Sequence, residues 1–329
     1  MTPAVPLPSR TSSLGYGCGG VFGGPFLSQS IRRIREAYDN GIRHFDVAPA
    51  YGMGTAEQAL GRALRDFGGV TVATKVGIAP PSRVRSSVVL TARWVGGGVR
   101  AFAPNLASRA GKAAYSQSTT RAQFSAQFVE RSVTASLREL QREHVEALLL
   151  HEVELDLITD ELLMALERLR SSGAIGLVGV ASTFEQTARI RSVHPHEFQL
   201  WQHEWRPTDF SARSGVPTSL HSILRSAAGP LRKRLAESPT TLDRMSSACG
   251  ADLANPTMFG QAMLAAAIAA NPDGLVLFSS RDPLHIQSNA RVLSDPSLRD
   301  VGRRLLTQLV NAGDAPGGRQ DAASALHSA

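Results

Sequence analysis

Residues 41–64 read GIRHFDVAPAYGMGTAEQALGRAL, and the order of residue types in this stretch decides the fold. The apolar run at 42–48 predicts a buried strand, and the amphipathic run that starts at Ala56 predicts a helix. The glycines of PAYGMG supply a tight turn between them. A strand that leads directly into a helix is the repeating unit of sheets with parallel strands.

The same alternation continues on both sides, from about Ser13 to Leu293. The amphipathic runs include residues 31–40, 56–67, 129–141 and 161–173. Gly41 and Gly173 end two of these helical runs, as glycine at a left-handed helix terminus does. The strands are predicted near residues 14–20, 42–48, 68–75, 145–151, 174–181, 197–203, 215–222 and 273–280. Eight such units in one domain predict an α/β fold of the (β/α)8, or TIM-barrel, class.

We expect one barrel domain over residues 1–310, followed by a tail at 311–329. The tail is composed of small and polar residues, so it is predicted to be flexible. A long insertion, at about 78–120, replaces the short connection expected after the third strand. Segments of this length in compact domains are functional loops or disordered ones.

The insertion is predicted to form a lid on the substrate side, because it follows a strand that ends at the catalytic face of the barrel. Trp94, Val99 and Phe102 would then cover an apolar substrate. Its glycine, serine and arginine content is equally typical of a disordered surface loop, which is the alternative.

Composition excludes several classes of protein. The net charge is +7, but the arginines are scattered singly, so no nucleic-acid partner is expected. The longest apolar stretch, at 262–270, is too short to span a bilayer, and the start of the sequence has no export signal, so we expect a cytoplasmic protein without a membrane partner. Cys18 and Cys249 lack metal-ligand spacing, which predicts reduced thiols and no metal.

Titratable residues stand at or just after the ends of successive predicted strands, where barrel enzymes place their catalytic groups. They are Asp46, Tyr51, Lys75 and His151. Lys75 is informative because only three of the 35 basic residues are lysines. A compact ammonium fits beside a phenol and a carboxylate where a guanidinium would not. The alternative for Lys75 is a solvated loop residue.

Four segments resemble the aldo-keto reductase family over about Leu14 to Leu293. They are GIRHFDVAPAYGMGTAEQALGRAL, TVATKVG, VEALLLHEV and IGLVGVAS. The first is the most specific, since it joins Asp46, Tyr51, a YG turn and Glu57 ahead of a helix. Within the family, the chain is similar to the bacterial branch that includes aldose dehydrogenases.

The resemblance implies hydride transfer between NADP(H) and a small carbonyl or alcohol substrate, with Tyr51 as the general acid or base. A free tyrosine has a pKa of about 10, so its phenolate needs stabilisation near neutrality. Lys75 would supply the positive charge, Asp46 would hold Lys75, and His151 would donate a hydrogen bond to the substrate oxygen.

The resemblance also assigns cofactor contacts. Ser182 stands where the family commonly has an asparagine for the nicotinamide carboxamide, and Gln202 matches the second carboxamide contact. Ser280 and Arg281 match contacts to the 2′-phosphate, and Asn289 matches the adenine contact. Arg281 has an alternative role, since it is placed to cap a helix or pair with Asp282.

Trp94, Trp205 and His221 are expected to line the substrate pocket, with His221 or a neighbour where the family has an aromatic ring against the nicotinamide. An ordinary polar residue is the alternative for His221. The glycine-rich segment LGYGCGGVFGG does not match the GxGxxG fingerprint of dinucleotide-binding folds. Its glycines are instead expected to let the cofactor lie close to the end of the first strand.

Two other functions stay open. Some members of the family are regulatory or sensor proteins, so the chain is alternatively a barrel that binds nicotinamide cofactor with little turnover. A metal-dependent barrel hydrolase would need paired histidines or carboxylates at ligand spacing on a strand, which the sequence does not offer.

Overall fold

The computed structural model describes residues 13–82, 86–92, 94, 123–207 and 217–314. Its core is a closed barrel of eight parallel strands in chain order, with the last strand paired to the first. The strands are β1 (Leu14–Gly17), β2 (His44–Asp46), β3 (Thr71–Val76), β4 (Val145–His151), β5 (Ile175–Ala181), β6 (Leu200–Glu204), β7 (Thr218–His221) and β8 (Leu275–Phe278). The predicted (β/α)8 fold is therefore confirmed.

Helices surround the barrel and shield the outward faces of its strands. They are α1 (Leu27–Asp39), α2 (Ala56–Leu64), α3 (Ala126–Leu140), α4 (Asp160–Ser171), α5 (Phe184–Val193), α6 (Gly229–Ala236), α7 (Pro239–Cys249), α8 (Pro256–Ala270), α9 (Pro283–Ala290) and α10 (Pro296–Asp314). The four helical runs quoted from the sequence coincide with α1 to α4. A π-helical segment, Ile223–Ala228, leads from β7 into α6.

Alternate residues of each strand face the interior of the barrel and the helices, as pleating requires. On β3, Ala73 belongs to a small apolar cluster contributed by β3, β4, β5 and β6. Val72 and Val76 belong to the large core that includes the helices. Lys75 therefore lies on the interior face with Ala73, and Thr74 lies on the outer face.

The predicted insertion is not wholly irregular, because residues 86–92 are helical. Trp94 is 58% exposed. Val99 and Phe102 lie outside the described residues, as does most of the segment to which the lid prediction applies.

The tail predicted at 311–329 begins within helix α10, and its flexibility stays a prediction. Helix α10 continues to Asp314. Its apolar residues at helical spacing, including Leu305 and Leu309, are buried, so one face of the helix is packed against the core. Residues 315–329 lie outside the described residues.

Cys18 and Cys249 are buried free cysteines, as the sequence predicts. None of the described helices is both long enough and apolar enough to cross a membrane.

Candidate active site

The four predicted catalytic residues meet at the carboxyl end of the barrel. Asp46 is the last residue of β2, Lys75 is the second-last of β3 and His151 is the last of β4. Tyr51 begins the short turn Tyr51–Met53 that follows β2. Gly52 in that turn has φ 59°, and a Cβ there would lie 2.1 Å from the carbonyl oxygen of Val21, so only glycine fits beside Tyr51.

Asp46 and Lys75 form a buried ion pair at the centre of this group. The Lys75 Nζ lies 2.6 Å from both carboxylate oxygens of Asp46. Lys75 is 2% exposed and Asp46 3%. The alternative of Lys75 as a solvated loop residue is therefore wrong. Burial alone would raise the pKa of Asp46, but the Lys75 ammonium and a hydrogen bond from Gln202 hold that pKa below its ordinary value.

Tyr51 and His151 lie next to this ion pair. The Lys75 Nζ is 5.4 Å from the centroid of the Tyr51 ring. The rings of Tyr51 and His151 are 5.9 Å apart at their centroids and nearly perpendicular, at 87°. Burial, assisted by the charge of Lys75, lowers the pKa of His151 to about 3. His151 is consequently a neutral imidazole near pH 7, with one N–H donor and one acceptor nitrogen.

The two residues assigned to the nicotinamide carboxamide are adjacent. Ser182 directly follows β5, and its backbone N–H donates to the carbonyl oxygen of Gln202 at 3.1 Å. Gln202 on β6 is 3% exposed. Its Nε2 donates to Asp46 Oδ2 at 2.8 Å and to Ser219 Oγ at 3.3 Å. Gln202 thus contacts the Asp46–Lys75 ion pair, which the resemblance to the family did not indicate.

The three residues predicted to line the substrate pocket lie on different parts of the chain and differ in exposure. His221, the last residue of β7, lies close enough to Lys75 for that charge to act with burial in lowering its pKa to about 4. Trp205 is 4% exposed and packs within the large apolar core, and its place in a substrate pocket stays a prediction. It follows β6 directly, and its large apolar ring is stabilised by burial. Trp94 lies on the insertion.

A cavity of about 270 Å³ lies beyond the end of β8. Ser280 and Asn289, both predicted cofactor contacts, line it. Arg281 is exposed, and its side chain lies within 4 Å of the position that a Cβ on Gly20 would take. Asp282 caps α9 by accepting a hydrogen bond from the Leu284 N–H at 2.9 Å. Among the described residues, no ion pair joins Arg281 to Asp282, so the guanidinium is available to a ligand.

Sequence reasoning missed the contribution of the segment after β7 to this cavity. The π-helical residues Leu224 and Ala228 line it, as does Arg232 of α6. A π-helical turn has no simple sequence pattern, so its position was not predictable.

A second buried carboxyl lies on the other side of β3. Glu57 in the first turn of α2 is 6% exposed, and its Oε1 accepts a hydrogen bond from Thr74 Oγ1 at 2.6 Å. Burial raises the pKa of Glu57 to about 7, although hydrogen bonds from Thr74 and Ser136 oppose the rise. Glu57 also lines a cavity of about 940 Å³ between α2, α3 and the start of the insertion.

Comparison with known proteins identifies the family. Residues 13–214 match the model of the aldo/keto reductase family, which is more than half of the chain. The chain therefore belongs to the aldo/keto reductase family.

Curated relatives match only in part. An L-galactose dehydrogenase of Arabidopsis thaliana is 28% identical over 177 residues, which are 52% of this chain and 44% of that protein. Aldo-keto reductase YhdN of Bacillus subtilis (strain 168) is 41% identical over 63 residues, 18% of this chain and 19% of that one. The chain thus spans less than half the length of these relatives.

Solved structures match over nearly the whole chain. Aldo-keto reductase AKR11C1 from Bacillus halodurans, in its holo form, superposes with a TM-score of 0.62 at 18% identity, covering 91% of this chain and 92% of that one. An aldo-keto reductase from Klebsiella pneumoniae in complex with NADPH gives a TM-score of 0.58 at 20% identity, covering 87% and 86%. At these identities the likeness supports the fold alone.

Proposed function

We propose that the chain is an NADP(H)-dependent oxidoreductase that interconverts a carbonyl and an alcohol. The observation that carries this proposal is the buried Asp46–Lys75 ion pair, with Lys75 Nζ 5.4 Å from the centroid of the Tyr51 ring. A buried ammonium held beside a phenol at the mouth of a barrel favours the phenolate, as proton transfer by tyrosine requires.

Tyr51 is the general acid when a carbonyl is reduced and the general base when an alcohol is oxidised. Lys75 stabilises the phenolate that remains after the proton leaves, and Asp46 fixes the position of Lys75. The neutral imidazole of His151 donates its N–H to the substrate oxygen and orients it. These roles need no charge change on His151 between about pH 5 and about pH 9.

The residues present fit a phosphorylated dinucleotide. Ser280, Asn289 and Arg232 line a cavity, and Arg281 directly follows Ser280 in the chain. Its guanidinium forms no ion pair with any of the described residues. A guanidinium recognises phosphate oxygens through paired N–H donors. Ser182 and Gln202 would hold the nicotinamide end, closer to Tyr51. When bound, the cofactor supplies or accepts the hydride. An aldo-keto reductase of the same fold from Klebsiella pneumoniae forms a complex with NADPH, and we propose the same cofactor here.

The substrate class is a small carbonyl compound or the corresponding alcohol. L-galactose dehydrogenase, the name of one relative, supports the inclusion of sugars among the candidates. A suitable experiment follows the loss of NADPH absorbance in the presence of a panel of aldehydes, ketones, quinones and aldoses. The reverse reaction is assayed by the formation of NADPH from NADP in the presence of sugars. Turnover with at least one carbonyl is expected. NADPH binding without turnover across the panel would instead favour the regulatory alternative.

The cofactor assignment is tested with Arg281→Ala. Losing one charge-assisted contact should weaken NADPH binding by about 1.5 to 3 kcal/mol, or about ten- to a hundredfold, and leave NADH affinity nearly unchanged. Arg291→Ala is a matched control, because Arg291 is also exposed but pairs with Asp295 on the surface. Equal NADPH affinities in wild type and Arg281→Ala would refute the assignment.

A further inference from the structure

Gln202 makes hydrogen bonds across the interior of the barrel. It lies on β6, whereas Asp46 lies on β2, and the two are joined at 2.8 Å within a site that excludes solvent from both. The Asp46 carboxylate can only accept hydrogen bonds, so the amide nitrogen of Gln202 must be the atom that faces it. The second contact of this nitrogen is Ser219 Oγ at 3.3 Å.

Because of these contacts, the two polar atoms of the Gln202 amide, Nε2 and Oε1, have different roles. The two hydrogens of Nε2 are directed to Asp46 and Ser219, which leaves Oε1 as the atom that can accept from a ligand amide. A nicotinamide carboxamide bound to Gln202 would then donate to a side chain that already holds Asp46. One residue therefore contacts both the cofactor position and the catalytic ion pair.

The hydrogen bond from Gln202 matters to Asp46 because the carboxylate is buried. Lys75 approaches both of its oxygens at 2.6 Å, and Gln202 is the second donor to Oδ2. Buried charges depend on every hydrogen bond that replaces water. The Gln202 amide offsets part of the negative charge of Asp46. Without the amide, that charge would offset more of the positive charge of Lys75, so the net positive potential at Tyr51 would fall.

The other titratable groups around Asp46 are neutral across the pH range in which turnover would be measured. They are His44, His151, His221 and Cys18. Burial lowers the pKa of His44 to about 4, of His151 to about 3 and of His221 to about 4. Burial also raises the pKa of the Cys18 thiol far above neutrality. A change in pH dependence would thus be traceable to Asp46, Lys75 and Tyr51.

We propose that Gln202 is a positioning residue for the Asp46–Lys75 ion pair and links the nicotinamide site to the proton-transfer site. The inference rests on the proposed function for its link to turnover. Its effect on Asp46 is independent of that function and is measurable without substrate. A residue that only binds the carboxamide would affect cofactor affinity and nothing else.

The experiment compares Gln202→Leu with Ser182→Ala, since both residues are assigned to the carboxamide, whereas the hydrogen bond to Asp46 comes from Gln202. Both variants should weaken NADP binding, by about tenfold for the loss of one hydrogen bond. Only Gln202→Leu should move the midpoint of the kcat profile for carbonyl reduction to higher pH, by about one pH unit. Ser219→Ala, which keeps the bond to Asp46, should move the midpoint by less.

Acid unfolding gives a readout that does not depend on activity. The Gln202 hydrogen bond lowers the pKa of Asp46, so its loss should shift the pH of half-unfolding upward in Gln202→Leu relative to Ser182→Ala.

Weaker NADP binding by Gln202→Leu with an unchanged kcat profile and unchanged acid unfolding would overturn the inference. If Gln202→Leu does not fold, Gln202→Met takes its place, because methionine is unbranched, similar in length to glutamine and also removes the donor to Asp46. A wild-type protein without turnover would contradict the proposed function, while acid unfolding would still decide the role of Gln202.

Discussion

Each face of β3 contacts one buried carboxyl, and the pKa values of these two carboxyls shift in opposite directions. On the inner face, Lys75 contacts Asp46, and the pKa of that carboxyl is held below its ordinary value. On the outer face, Thr74 contacts Glu57, and the pKa of that carboxyl rises to about 7. Lys75 and Thr74 are consecutive residues, so the difference arises from the partner that each face offers. An ammonium makes a buried carboxylate stable, whereas a hydroxyl does not compensate for its burial.

The largest effect should come from removing the ammonium. Lys75→Met leaves Asp46 buried without its cation and should lower the free energy of unfolding at about pH 7 by about 3 to 5 kcal/mol. Thr74→Val is the matched variant on the outer face, and it should lower the same quantity by only about 1 kcal/mol. Urea denaturation of the two variants makes the comparison. Equal losses would mean that the two faces of β3 do not differ as described.

At Glu57 we expect an effect of intermediate size on the free energy of unfolding, and here the substitution should stabilise the protein. A carboxyl whose folded pKa is raised from 4.5 to about 7 contributes its full stability below the unfolded value and loses it as pH rises through the folded value. Glu57→Gln removes this titration. The variant should be more stable than wild type by about 2 to 3 kcal/mol at about pH 8, and by much less at about pH 5. A variant less stable than wild type at the higher pH would contradict the raised pKa.

The smallest effect should come from a solvent-exposed ion pair on the protein surface. Arg168 and Glu130 are 2.8 Å apart, with side chains 58% and 42% exposed. Arg168→Ala should change the free energy of unfolding by less than about 1 kcal/mol, and salt should reduce the difference further. Denaturation at low and high salt measures this. A loss comparable to that of Lys75→Met would show that burial is not what distinguishes the inner pair.

Much of the inner face was predictable from the sequence. Asp46, Lys75 and His151 stand at the ends of apolar runs, and parallel strands bring their carboxyl ends together, so spacing alone placed these residues in one site. The roles of Ser182, Ser280 and Asn289 came only from resemblance to the family, and they stay predictions. The barrel itself followed from the period of the apolar runs.

Other features could not be predicted, because they depend on contacts between distant parts of the chain. The Gln202–Asp46 hydrogen bond joins residues 156 positions apart. Glu57 lies in a helix whose sequence does not reveal that its carboxyl is buried against β3. Nothing in the sequence around Trp205 reveals that its ring packs within the large apolar core. Helix α10 also extends to Asp314, past the predicted start of the tail at Asn311, a continuation that the small and polar composition of that segment did not indicate.

The central claim is that Tyr51 transfers the proton and that the inner ion pair serves this purpose. The most direct test is Tyr51→Phe, which removes one hydroxyl and keeps the ring beside Lys75 and His151. We predict that kcat for carbonyl reduction falls by about a hundredfold or more, while the NADPH dissociation constant stays within about twofold of wild type. A variant that retains more than about a tenth of the wild-type kcat would contradict the assignment of Tyr51 as the general acid.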